Sequence, residues 1–115
     1  MAEVQKTYAL ILGIVAGVIG IWGLFSQSIL GIFGVNVLQS IVHIITGAFG
    51  IYVGTKGEGP GFNGSVGWVA LLLGVLWYIP ATAALLVSLL NVNAATTYLH
   101  LVVGVLSLLV YFATE

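Results

Sequence analysis

Apolar residues run along this chain in four long stretches, at about 7–25, 36–55, 66–88 and 94–112, separated by short polar or glycine-rich intervals. The hydrocarbon core of a bilayer takes about 20 mainly apolar residues per helix, so each stretch is long enough to cross. Within the stretches the small and polar residues recur at helical spacing. The second carries Asn36, Gln39, Ser40, His43, Thr46, Gly47, Gly50 and Gly54, and the fourth carries Asn93, Thr96, Thr97, His100, Gly104, Ser107 and Tyr111. The first contributes Gly13, Gly17, Gly20 and Gly23; the third contributes Gly67, Ala70, Gly74, Ala81, Ala84 and Ser88. Helices in lipid associate through close backbone contact at small residues and through interhelical hydrogen bonds. The stripes are therefore expected to face one another. The expected architecture is all-α, an integral membrane four-helix bundle forming a single domain over residues 1–115.

The two halves of the chain resemble each other. Asn36 to Gly47 and Asn93 to Gly104 both read Asn-x6-His-x3-Gly, and the helices before them match as Ala9-Leu10-Ile11-Leu12-Gly13 and Ala70-Leu71-Leu72-Leu73-Gly74. Each unit holds two spans, so the copies share one orientation and their pseudo-two-fold axis runs along the membrane normal, a parallel 2+2 repeat of helical hairpins. The inverted repeats typical of alternating access are not expected. With this paired motif opening helices two and four, the chain resembles an uncharacterised prokaryotic family of small four-helix membrane proteins, a domain of unknown function. The resemblance implies a four-helix membrane fold and carries over no reaction, ligand or catalytic residue.

Composition agrees and adds an orientation. Of 115 residues, 61% are hydrophobic and 4% charged, with mean hydropathy +1.24, whereas soluble domains are about 25% charged. The charges are Glu3, Lys6, Lys56, Glu58 and Glu115. All fall on one side of a four-span topology. Lys6 and Lys56 place both termini and the 55–65 loop in the cytoplasm by the positive-inside bias. The first stretch is expected to stay as helix one: its flank carries only Lys6 against Glu3, and no small-residue cleavage site precedes a polar sequence. Two basic and three acidic residues leave no footprint for nucleic acid. The loop Thr55 to Ser65 is glycine-rich and holds Pro60, which reads as a flexible turn; it lacks the order of a phosphate cradle. The opposite connections, 26–35 and 89–93, carry no charge, and Ile29, Leu30, Ile32 and Phe33 suggest that the first rests in the interface or against another protein.

The chemistry is confined to two histidines. Asn36 and Asn93 are expected to cap helices two and four. Seven residues further on, at ~1.5 Å per residue, His43 and His100 lie roughly 10 Å below the outer ends, at one depth. The same depth on helices one and three reaches Gly17 to Gly20 and Pro80 to Ala84, so the rings are expected to share a pocket, with Ser40 and Thr97 orienting them. An ionisable residue inside a span is a functional hypothesis by default. Two imidazoles on facing helices suit a tetrapyrrole, haem b or a chlorophyll-type pigment, held without covalent attachment because CxxCH is absent. The plainer readings are a structural pair hydrogen-bonded across helices, or a route for protons or ions. Two histidines without a nearby carboxylate fall short of a zinc site. No aspartate exists, and the three glutamates lie outside the spans. Neither a carboxylate pair nor a Ser-His-Asp arrangement can form, and no enzymatic activity is expected. Trp22, Trp68 and Tyr8 read as interfacial belt residues, and Pro80, after Trp77 and Tyr78, as a kink that shapes a pocket below the histidines. The expected role is a structural or accessory subunit, in contact with lipid and with other membrane subunits or copies of itself. The alternative is a tetrapyrrole-binding protein for electron transfer or light capture.

Overall fold

In the computed structural model, which describes residues 2–57 and 60–113, the first two apolar stretches fold as α1 (Ala2–Gly23) and α2 (Val37–Lys56). They meet backbone to backbone. A Cβ on Gly13 would lie 2.7 Å from the Ile51 nitrogen, and one on Gly47 would lie 2.7 Å from the Gly13 carbonyl oxygen, so only glycine permits this approach. The second half begins with α3 (Pro60–Leu76), continues with α4 (Pro80–Leu90) and ends with α5 (Ala94–Ala113). α3 packs along α5, again on glycines: a Cβ on Gly104 would sit 2.7 Å from the Leu71 nitrogen, and one on Gly67 would sit 2.8 Å from Leu108 Cγ. The described residues are thus all-α, with five helices. α1, α2 and α5 are each long and apolar enough to cross a membrane, and α3 with α4 adds a fourth crossing if the bent pair counts as one.

The third helix expected over 66–88, kinked at Pro80, is instead two helices with a sharp break before Pro80. α3 and α4 meet at 114° across a break at residues 77–79. Proline disfavours helical backbone in the residue before it, and Ile79 is extended, at φ −105° and ψ 117°. Pro80 then opens α4, where its missing N–H is not needed. Thr82 secures the corner by donating its hydroxyl to the Leu76 carbonyl at 2.6 Å. Because α4 turns away, Ala81, Ala84 and Ser88, expected to face the bundle, are exposed.

The 55–65 segment is also corrected. α2 runs to Lys56 and α3 starts at Pro60, so Gly61 to Ser65 are helical rather than a flexible turn. Their glycines serve packing: Gly64 lies against the Tyr111 ring. Asn63 is fully buried and donates its amide to the Gln5 carbonyl at 3.0 Å and to Gln5 Oε1 at 2.8 Å. Gln5 in turn donates to the Val110 carbonyl at 2.9 Å. These bonds bring the start of α1, the start of α3 and the end of α5 to one end of the molecule. Tyr8 joins them, half-buried and 2.6 Å from Ser107 Oγ. Glu58 and Glu115, two of the five charges, lie outside the described residues.

Between α1 and α2 a short antiparallel hairpin forms, β1 (Ser28–Ile29) and β2 (Phe33–Gly34). Ile32 N–H donates to the Ile29 carbonyl at 3.0 Å across Leu30 and Gly31, both at positive φ (58° and 70°), which is the backbone of a tight primed turn. Ile29 and Val35 are buried beneath it, while Leu30 and Ile32 point outward.

Candidate functional site

Asn36 and Asn93 cap their helices as the spacing predicts. Asn36 Oδ1 accepts from Gln39 N–H at 2.8 Å, and Asn93 Oδ1 accepts from Thr96 N–H at 2.9 Å. The free amides then cross to the other half of the chain. Asn36 Nδ2 donates to the Leu89 carbonyl at 2.7 Å and Asn93 Nδ2 donates to the Ile32 carbonyl at 2.9 Å. Ile32 and Leu89 stand in the same sequence relation to Asn36 and Asn93, four residues before each, so the two ties are reciprocal. Around them, Gln39 donates to the Leu90 carbonyl at 2.6 Å, Asn91 to the Val35 carbonyl at 2.7 Å, and Thr96 to the Gly34 carbonyl at 2.9 Å. These acceptors are all backbone carbonyls: Leu89 and Leu90 at the end of α4, Ile32 in the hairpin turn, Gly34 in β2 and Val35 just after it.

Below this clasp lie the histidines. Two cavities of about 320 Å³ each open between the α1–α2 pair and the α3–α5 pair, and His43 and His100 line both. The rings therefore share one space, as expected from their depth. Val15, Ile19, Gln39 and Leu99 are also common to the two cavities. One cavity extends under the β-hairpin to Trp22 and Phe33, and the other extends along α3 to Ala70 and Leu73. Pro80 to Ala84, Trp77 and Tyr78 line neither, because the chain leaves the bundle at Leu76 and α3 supplies that level from earlier residues.

Several polar atoms packed around this space are unsatisfied. Nδ1 of His43 and Nδ1 of His100 are buried without a hydrogen-bond partner, as is Gln39 Oε1, whose amide group is committed to Leu90 and Gly34. Ser40 and Thr97 do not orient the rings. Thr97 donates back to the Asn93 carbonyl at 3.0 Å, the ordinary fate of a threonine inside a helix. Ser40 lies fully buried against Gly23, its hydroxyl without a partner. Sequence reasoning missed Gln5 and Asn63, the polar cluster at the opposite end. Their signal is two buried-type amides in segments that read as flank and loop.

The donor set limits what the space can hold. Among the described residues no group of three or more His, Asp or Glu side chains converges in the manner of a metal site. Among the described residues, the cavity walls contain no lysine, arginine, aspartate or glutamate. A haem b brings two propionates, and a buried carboxylate without a cation is strongly disfavoured. Axial histidines, in addition, ordinarily anchor their second nitrogen on a carbonyl or carboxylate, and here Nδ1 of each ring has no such partner. The residues present do not fit haem b.

The chain belongs to a known family. The family is described as a domain of unknown function (DUF4383) and matches residues 6–113, nearly the whole chain. No curated protein and no solved structure matches significantly.

Proposed function

We propose that this chain is a non-catalytic structural or accessory subunit of a larger membrane assembly, docking through α4 on another membrane helix or on a second copy of itself. The carrying observation is the exposed row of Ala81, Ala84 and Ser88, one face of a helix that no other part of the chain covers. In lipid an exposed leucine needs no explanation, but a row of small residues is a surface on which a second helix can approach closely. The reciprocal asparagine ties support a further element of this reading, two hairpins related by a parallel pseudo-two-fold axis. Lys6 and Lys56 lie near the end of the molecule that gathers the start of α1 and the start of α3, which supports a cytoplasmic location for that end. Native mass spectrometry after mild detergent extraction tests the subunit reading. A complex or homo-oligomer is expected, shifting to monomer in Ala84→Leu; monomer alone from the wild type refutes it.

The tetrapyrrole alternative retains one supporting observation, two imidazoles on a shared cavity. Without cations for propionates it narrows to a chlorophyll-type pigment with esterified side chains. The visible spectrum of the purified protein decides it: with pigment supplied in full, the absence of a Soret band removes this reading.

A further inference from the structure

The geometry points to a binding site for a neutral, membrane-soluble dione, an isoprenoid quinone, with its ring between His43 and His100. The inference does not depend on the subunit role or on α4. Three observations carry it. First, the space is suited to a small planar head group: ligand sites usually run from about 300 to 1,000 Å³ with apolar walls and a few placed polar groups, and here two cavities of about 320 Å³ meet at the same histidine pair. Second, the walls reach the lipid face. Val18 and Leu30 of one cavity and Val42 and Val69 of the other are more than half-exposed or close to it, so a long apolar tail can leave the site without crossing water. Third, the polar atoms match the chemistry of the head group. An imidazole carries at least one N–H in every protonation state, and with Nδ1 of each ring buried the Nε2 side of the two rings lining the shared space is left to meet the carbonyl oxygens of a dione.

Competing occupants match fewer of these features. An acyl chain fills apolar volume but leaves the imidazoles unsatisfied, a costly condition in a dry interior. A phospholipid head group or a haem propionate brings charge to walls that carry none. A quinone brings two uncharged acceptors on opposite edges of one ring.

Decylubiquinone is the probe and decylbenzene, with the same tail and no carbonyl, is the control. Trp22 lines one cavity while Trp68 and Trp77 line neither, so in the full chain carrying Trp68→Phe and Trp77→Phe the remaining fluorescence reports the site. Saturable quenching at one quinone per chain is expected, weakened about tenfold by His43→Phe or His100→Phe, the loss of a single hydrogen bond in an apolar site. The infrared carbonyl stretch of quinone bound to the wild type is expected below its value in bilayer alone, and this reading needs no substituted protein. Quenching that rises without saturation overturns the proposal, as does competition by decylbenzene equal to that of the quinone. So does an unshifted carbonyl band, or undiminished affinity in folded His43→Phe/His100→Phe protein.

Discussion

At the scale of single residues, this fold is governed by where a side chain is absent. Gly13 and Gly47 allow α1 and α2 to touch through their backbones, and a Cβ on either would fall 2.7 Å from a main-chain atom of the facing helix. Backbone cannot rotate aside as a flexible side chain can, so the helices must separate. Gly47→Ala is expected to cost about 1–3 kcal/mol, the usual range for overpacking, read as a lower unfolding midpoint in detergent. Gly17 provides the control on the same stripe: a Cβ there meets nothing within 4 Å. Gly17→Ala is expected to be neutral or to stabilise by up to about 1 kcal/mol, since alanine is the better helix former. Equal losses at the two sites would show that glycine itself, rather than close approach, sets the stability. The asparagines make the complementary point about polar groups. Each cap oxygen serves its own helix while its amide holds the other half, so Asn36→Ala removes two bonds together. A loss of about 2 kcal/mol is expected, and Asn93→Ala, which also removes the bond from the Thr96 hydroxyl, should cost at least as much in the same thermal assay.

At the scale of elements, periodicity made α1, α2 and α5 legible, and with them the caps and the shared depth of the histidines. It failed on the third span, for a reason visible in the packing. By the sequence repeat, Gly74 is the counterpart of Gly13 and Leu108 that of Ile51, so Gly74 should face Leu108 as Gly13 faces Ile51. Instead Gly67 faces Leu108, and Gly74 faces Leu101. α3 is shifted along α5 by seven residues, about 10 Å. The shift draws the glycine-rich 61–65 segment into the helix and carries Trp77 to Pro80 out of it. Neither a glycine count nor a proline reveals such a slide, because each has the same local signature in a loop, a kink or a packed face. The break is measurable, since the chain has no native cysteine. Spin labels on Val69→Cys and Leu89→Cys would stand about 30 Å apart on a straight helix, and under about 20 Å across a 114° bend. The short distance is expected, and a population centred near the long one would restore a continuous span.

At the scale of the whole molecule, the two halves touch mainly at their ends. Glycine contacts bind α1 to α2 and α3 to α5, while the space between the pairs is occupied by the cavities around His43 and His100. The asparagine clasp closes one end, and the Gln5, Asn63, Tyr8 and Ser107 cluster closes the other. With no charge in the cavity walls and lipid offering no hydrophobic drive between helices, these bonds hold the halves together. The covalent link at residues 57–60 should therefore be dispensable once folding is complete. Protein carrying a protease site inserted after Gly57 is expected to remain a single particle of unchanged mass after cleavage, by native mass spectrometry in mild detergent. Gln5→Leu strips Asn63 of its side-chain acceptor, which costs about 1–3 kcal/mol for the buried amide left short of a partner. Combined with Asn36→Ala it weakens both ends, and the cleaved double variant is expected to separate into its halves. Dissociation of the cleaved wild type would show that the end contacts do not suffice. Persistence of the cleaved double variant would move the stability of the pair onto the cavity walls, and so onto whatever fills them.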